Sequence, residues 1–391
     1  MASAAHSAPS AWRPEPIRWS AIALLPVPPT FGLRRLAKFV RPVGRRISAV
    51  APKDAARCFG REQHRDVSRR VGFPPWAAGP YHRPVLIRAH AKVNLALAVA
   101  PPLSKELGGY HPIASWMAAI DLADEIELEQ TGGPRSVYRV EWAADAPRAT
   151  PIDWPIEKDL AARAHQLLEA HVGRALPVHL LVRKRTPVGG GLGGGSADAA
   201  AVLCGVNQLF QLGLSGSSLI ALSARLGSDI GFFIDDGRAI DAPPRPALVS
   251  GLGQEIARVP TAGGGEHAAA LVLLLPAFGC PTGPVYRAFD ALGPGPLRAA
   301  QVRSLIDHAA AAGAIDSAAL FNDLATPAEA VAPALGPIRR HAAAVLGVPV
   351  HVTGSGSTLF AIAPSAAAAQ QWAEDLTRSA VDATAVVTRL A

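Results

Sequence analysis

The sequence predicts an α+β protein, on three observations. Segments with the two-residue period of strands alternate with segments of helical spacing, but without the strict strand–helix–strand rhythm of a doubly wound sheet. A glycine-rich run, Pro187 to Ser196, leads straight into an alanine-rich helix. A second glycine cluster, Thr261-Ala262-Gly263-Gly264-Gly265, is the best candidate domain boundary. The expected organisation is a basic extension over 1–82, a first domain over 83–262 and a second over 263–391.

In chain order, residues 1–82 lack periodicity and are rich in Arg, Pro, Ala and Ser, so the segment is expected to be disordered. Two origins fit it: an Arg-rich organellar transit peptide, or a start assigned too far upstream in an Arg- and Ala-rich bacterial sequence. Met1 and Met117 are the only methionines, so an internal start would use a non-Met codon near Val71, Val85 or Leu86. The corresponding locations are the plastid and the cytoplasm. Val85–Ala89 and Val93–Val99 read as strands, and Asp124–Glu129 alternates as a half-buried one. Lys158–Val172 carries helical spacing through Leu160, Ala161, His165, Leu167 and Leu168, and Val178–Val182 is the next strand. A helix from Ser196 to about Leu212 ends at Gly213; another, Ser217–Leu226, is capped near Ser215 and stopped by Gly227. Beyond the boundary come a buried strand Leu271–Leu275, Ala-rich helices through 298–345 and a strand Val348–Thr353. A Gly-Ser turn, a strand Leu359–Ile362 and a helix through 366–379 complete the chain.

Of 391 residues, 49% are hydrophobic and 18% charged, a globular composition long enough for a substantial core. The net charge of +7 is unevenly placed: residues 1–82 hold twelve Arg and two Lys against four acids, or +10, and the remainder, with 24 basic and 27 acidic residues, is −3. A basic total therefore gives the body no nucleic-acid footprint. No stretch approaches the roughly 20 apolar residues of a membrane span. Cys58, Cys204 and Cys280 form neither a disulfide framework nor a zinc pair, and Cys204 and Cys280 read as free core thiols.

The glycine run carries the chemistry. Gly189, Gly190, Gly191, Gly193, Gly194 and Gly195 surround Leu192, and Ser196-Ala197 open the helix. Such a loop lets backbone approach a ligand closely, and the helix N-terminus favours an anion, with Ser196 or Asp198 available as a cap. The run lacks the Lys of GxxxxGK[ST] and the acidic residue about twenty positions beyond GxGxxG. A phosphate site that is neither Walker-type nor Rossmann is indicated.

Four segments, Ala91-Lys92-Val93-Asn94-Leu95, Pro187 to Ser196, Leu226-Gly227-Ser228-Asp229-Ile230-Gly231-Phe232-Phe233 and Thr353 to Ser357, together resemble the GHMP kinases (galacto-, homoserine, mevalonate and phosphomevalonate kinases) over about residues 84–391. The loop matches in register at Leu192, with a third glycine where the family pattern has serine. The resemblance implies a two-domain α+β fold with the active site in the cleft between the lobes. Gly109-Tyr110-His111, the triple glycines, Pro281 to Tyr286, Lys184-Arg185 and Asn322-Asp323 are similar to the branch acting on a cytidine diphosphate-linked methylerythritol, in non-mevalonate isoprenoid precursor synthesis.

By that resemblance Lys92 and Asp229 are catalytic, the latter accepting the substrate hydroxyl proton. Lys184, Pro187 and the segment Gly189 to Ala197 bind ATP. Asn94, Tyr110, His111, Thr282, Tyr286, Gly354, Ser355 and Gly356 contact substrate, with the two tyrosines stacking on the pyrimidine and His111 reading its edge. Lys92 in an apolar strand argues for a role independently, because a buried ammonium is costly unless paired. Asp159 stands where the family has an adenine-side Asn. ATP and Mg²⁺ are the expected cofactors. The partners are a small-molecule substrate with no nucleic acid or membrane, in a monomer or homodimer. The alternatives are a homoserine- or mevalonate-type kinase and a catalytically inactive binding homologue.

Overall fold

β1 (Val85–Val99) and β2 (Ile113–Gln130) pair antiparallel, Val85 opposite Leu128 and Val99 opposite Ile113, and form the spine of the molecule. The computed structural model describes residues 84–104, 106, 108–260 and 269–391. The extension 1–82, Cys58 and the glycine cluster 261–265 lie outside the described residues. The sequence predicts two short strands where β1 is continuous, and only the last part of β2. The cause is coverage on both faces: most of β1 beyond Arg88 and of Ile113–Ala123 is buried, so no alternation marks them as strand.

On its other edge β2 takes β5 (Ala247–Gly251) against residues 113–117 and β4 (Val178–Lys184) against 125–130. β3 (Val137–Trp142) runs parallel to β4, and β6 (Glu255–Arg258) antiparallel to β5. The edge left free between them is met by the C-terminus, where Leu390 bridges Ile120 and the Ala391 N–H donates to the Ala119 carbonyl. A second, antiparallel sheet has the order β10 (Ala383–Arg389), β7 (Ala270–Pro276), β9 (Leu359–Ala363), β8 (His351–Val352). The sequence reading assigns no strand to β3, β5, β6 or β10, and it makes β8 longer than the two residues observed.

α1 (Leu160–Val172), α2 (Gly194–Leu209) and α3 (Gly216–Ser223) cover one face of the first sheet, over a core that includes Ile126, Leu128, Leu168, Leu180 and Leu203. On the opposite face Val93, Leu95, Trp116 and Ile120 pack with Leu271, Leu273 and Phe360 of the second sheet and Val302 and Ile306 of α5 (Ala299–Ala312). The far face of the second sheet is covered by α4 (Thr282–Ala291), α6 (Ala325–Val331), α7 (Leu335–Leu346) and α8 (Ala366–Arg378). The predicted α+β class therefore holds. Cys204 and Cys280 are free thiols, half-buried and buried respectively. No helix among the described residues is long and apolar enough to cross a membrane.

α1 shows how local sequence fixes an element beside the site. Asp159 is its N-cap, with Oδ1 accepting from the Ala161 and Ala162 N–H groups at 2.9 and 3.5 Å. Gly173 ends the helix in the left-handed region at φ 69°. Asp159→Ala is expected to cost about 1 kcal/mol, read as a lower urea midpoint with an unchanged m-value.

Candidate active site

Two register shifts interrupt the β1–β2 ladder, between His90 and Lys92 and between Asn94 and Ala96. Residues two apart in a strand share a face, and bulges re-aim side chains. Lys92 and Asn94 are thus presented together. Lys92 Nζ donates to Asn94 Oδ1 at 2.6 Å and to the Gly191 carbonyl at 2.7 Å. Asn94 Nδ2 donates to Ser115 Oγ at 2.8 Å, and its backbone N–H to Thr353 Oγ1 at 2.9 Å. Burial lowers the Lys92 ammonium to about 8, against the opposing pull of the Asp229 charge.

The glycine loop lies directly over this lysine, whose own N–H donates to the Leu192 carbonyl at 2.9 Å. At Gly191 both φ, +78°, and space demand glycine, since a Cβ would lie 2.3 Å from the Thr353 carbonyl oxygen. The bond from the Thr358 N–H to the Gly190 carbonyl at 3.1 Å seats the Gly354-Ser355-Gly356 turn against the loop. Asn322 Nδ2 fixes the same turn through the Val352 and Gly354 carbonyls at 2.8 and 2.9 Å.

One expectation is corrected here. Neither Ser196 nor Asp198 caps α2, which starts at Gly194 behind an N-cap, Gly193, that makes no side-chain hydrogen bond. Ser196 Oγ instead donates to Asp229 Oδ1 at 2.7 Å, and Asp198 is taken by Lys184. The first-turn N–H groups, beside Ala197 and the loop glycines, are left to an anion.

Lys92, Asn94, the loop, Asp229, Thr282, Tyr286, Gly354 and Ser355 all line one cavity of about 830 Å³. Thr282 Oγ1 and Ser355 Oγ are 3.2 Å apart. Burial, with the Asp229 charge, pushes the Tyr286 phenol up to about 12, so it stays neutral. His111 does not line the cavity but lies tilted beside that ring, with centroids 4.9 Å apart. Its Nδ1 meets the Ala100 carbonyl at 3.0 Å and therefore carries the proton, while Nε2 faces Asp290 at 3.5 Å. Tyr110 is not brought to the cavity: it is 64% exposed.

Trp154, Lys158, Asp159 and Val188 line the same cavity. Trp154, absent from the sequence prediction, donates from Nε1 to Asp159 Oδ2 at 3.1 Å. No periodicity marks it, because it lies in irregular backbone before the 3₁₀ turn Ile156–Lys158.

Beneath the loop Lys184 Nζ lies 2.6 Å from both Asp124 Oδ2 and Asp198 Oδ2. Burial works against the Lys184 charge, but the two carboxylates outweigh it and hold the ammonium above its ordinary value. Burial, reinforced by Asp124, pushes the Asp198 carboxyl well above its ordinary range despite Lys184. The Lys184 ammonium is thus already paired, which speaks against a direct phosphate contact.

Residues 159–239 match the GHMP kinases N terminal domain. The 4-diphosphocytidyl-2-C-methyl-D-erythritol kinase of Mycobacterium tuberculosis (strain ATCC 25618 / H37Rv) is 34% identical over 300 residues, 73% of this chain and 84% of that protein. The protein of the same name from Thermobifida fusca (strain YX) is 35% identical over 304 residues, 75% of this chain and 92% of its own. A crystal structure of 4-(cytidine 5'-diphospho)-2C-methyl-D-erythritol kinase aligns with a TM-score of 0.59 at 30% identity, covering 78% of this chain and 100% of that one.

Proposed function

The chain belongs to the GHMP kinase family, and on that premise we propose that it is an ATP-dependent kinase phosphorylating the 2-hydroxyl of 4-diphosphocytidyl-2-C-methyl-D-erythritol. The observation carrying this reading is the convergence of Lys92, Asn94, Ser196 and Asp229 on one glycine loop in one cavity.

In the proposed reaction the substrate 2-oxygen attacks the γ-phosphorus, the bond from that phosphorus to the β,γ-bridging oxygen breaks, and ADP leaves. Asp229 takes the hydroxyl proton, while Lys92 stabilises the charge on the transferring group. Loop N–H groups and the α2 terminus hold the phosphates, so that positioning supplies much of the rate. Thr282, Tyr286 and His111 orient the cytidylated end. Mg²⁺ would come with the nucleotide. The described residues hold no cluster of three His, Cys, Asp or Glu for a metal, and Mg²⁺ on a nucleotide is ordinarily held through the phosphates and one or two protein oxygens. Ser196 offers such an oxygen, and the ion would supply neutralisation of phosphate charge.

The reading is tested by following ATP consumption with the cytidylated substrate and with 2-C-methyl-D-erythritol. Loss of nearly all turnover with the latter is expected; equal turnover removes the cytidine assignment. Tyr286→Ala is expected to raise KM for the cytidylated substrate about tenfold, within what a base–aromatic stack contributes, with KM for ATP unmoved.

A further inference from the structure

Both ends of the glycine loop are tied to one buried charge cluster. At the entry, Asp124 Oδ1 accepts from the backbone N–H groups of Arg185 and Thr186, the latter at 2.7 Å. At the exit, Asp198 lies in the first turns of α2, and its Oδ2 is held by Lys184 Nζ. The same ammonium holds Asp124 Oδ2, so a single cation joins the two ends. Asp124, Lys184 and Asp198 are 0, 4 and 3% exposed. Where the ends meet there is no slack, because a Cβ at Gly194 would lie 2.7 Å from Thr186 Cγ2.

We propose that Asp124, Lys184 and Asp198 are positioning residues that clamp the base of the glycine loop and so set nucleotide affinity through the loop. This rests on the kinase reading, in which the loop holds the ATP phosphates. A loop whose N–H groups already point inward loses less freedom on binding than one free to open. Lys184 cannot leave the cluster for a phosphate without stranding a buried carboxylate. Thr282 and Tyr286 lie on α4, so loosening the clamp raises KM for ATP more than KM for the acceptor, while Lys92 and Asp229, bonded to the loop and to Ser196, carry part of the disturbance into kcat.

The test compares Asp198→Leu, which cuts the exit tether on the same branched heavy-atom skeleton, and Asp198→Asn, which keeps an oxygen for the ammonium. ADP affinity is measured by calorimetry on the full chain, and KM for each substrate by steady-state assay. Asp198→Leu is expected to weaken ADP binding and raise KM for ATP about tenfold, a typical size for coupling through a packed network. KM for the acceptor stays within about threefold, and Asp198→Asn restores ADP affinity to within about threefold of wild type. Unchanged ADP affinity in Asp198→Leu overturns the clamp, as does an equal rise in both KM values. If Asp198→Leu does not fold, unchanged ADP affinity on Lys184→Met/Asp198→Leu, which removes both partners together, overturns it equally. A wild-type protein that binds no ADP overturns clamp and kinase reading alike, whereas ADP binding without turnover of the cytidylated substrate rejects only the acceptor.

Discussion

Asp229→Asn is expected to lower kcat about 10²–10⁴-fold, the range for losing a positioned proton acceptor, while KM for ATP stays level or falls. The substitution is nearly isosteric and keeps Oδ1, the oxygen that receives the Ser196 hydroxyl at 2.7 Å. Ser196 therefore keeps its place in α2, and the loop is not disturbed. What disappears is the capacity to take a proton and one negative charge close to where ATP would bind. The lost charge can only help an anionic nucleotide to bind, so weaker ATP binding is not the expected route to low activity. Steady-state kinetics with ATP and the cytidylated substrate separate the two effects. A kcat within tenfold of wild type would take Asp229 out of the proton path and leave the phosphoryl transfer to positioning alone.

The elements legible in the sequence are those with one face wet. Lys158–Val172 shows its period because Arg163 and Gln166 face outward, and the helix is found one turn or less from its expected ends. β2 is the opposite case, since burial on both faces erases the period and only its half-wet end, from Asp124, could be read. β10 is an edge strand whose small and polar residues alternate weakly, and β8 owes its brevity to the tight turn that follows it. α4 was visible only as a motif, because Gly283 and Pro284 in its first turn mask a helix that tolerates them there.

The candidate site was more legible than the fold, since glycines and buried charges are chemically conspicuous wherever they fall. Lys92, Asn94, Asp229 and the loop, far apart in sequence, do converge. Two assignments could not be resolved without coordinates. Lys184 sits next to the loop in sequence, but which way its ammonium points depends on Asp124, sixty residues earlier. Trp154 enters the cavity from irregular backbone, and nothing about a lone Trp distinguishes it from core. Tyr110 shows the converse: a motif identifies the residue, yet its ring is exposed outside the cavity.

Lys92→Met is expected to lower kcat about 10²–10³-fold, the usual consequence of removing one preorganised donor from a developing charge. The wild-type pH profile gives an independent signature. Burial brings the ammonium down to about 8, so kcat/KM, which reports the free enzyme, should fall as pH rises through that value. Bound nucleotide adds negative charge beside the amine and favours its protonated form, so the corresponding limb in kcat should lie at higher pH. Both limbs should vanish in Lys92→Met. Stability responds with the opposite sign. Between about 8 and the ordinary value of 10.5 the unfolded chain binds the proton that the folded chain releases, so this residue's contribution to stability rises with pH across that window. Activity falling while the unfolding midpoint climbs, over one pH interval and in the wild type alone, would mark Lys92 as a cation kept charged for chemistry at the fold's expense. A wild-type kcat/KM flat from pH 7 to 10 would show instead that the transferring phosphoryl group does not depend on the Lys92 charge.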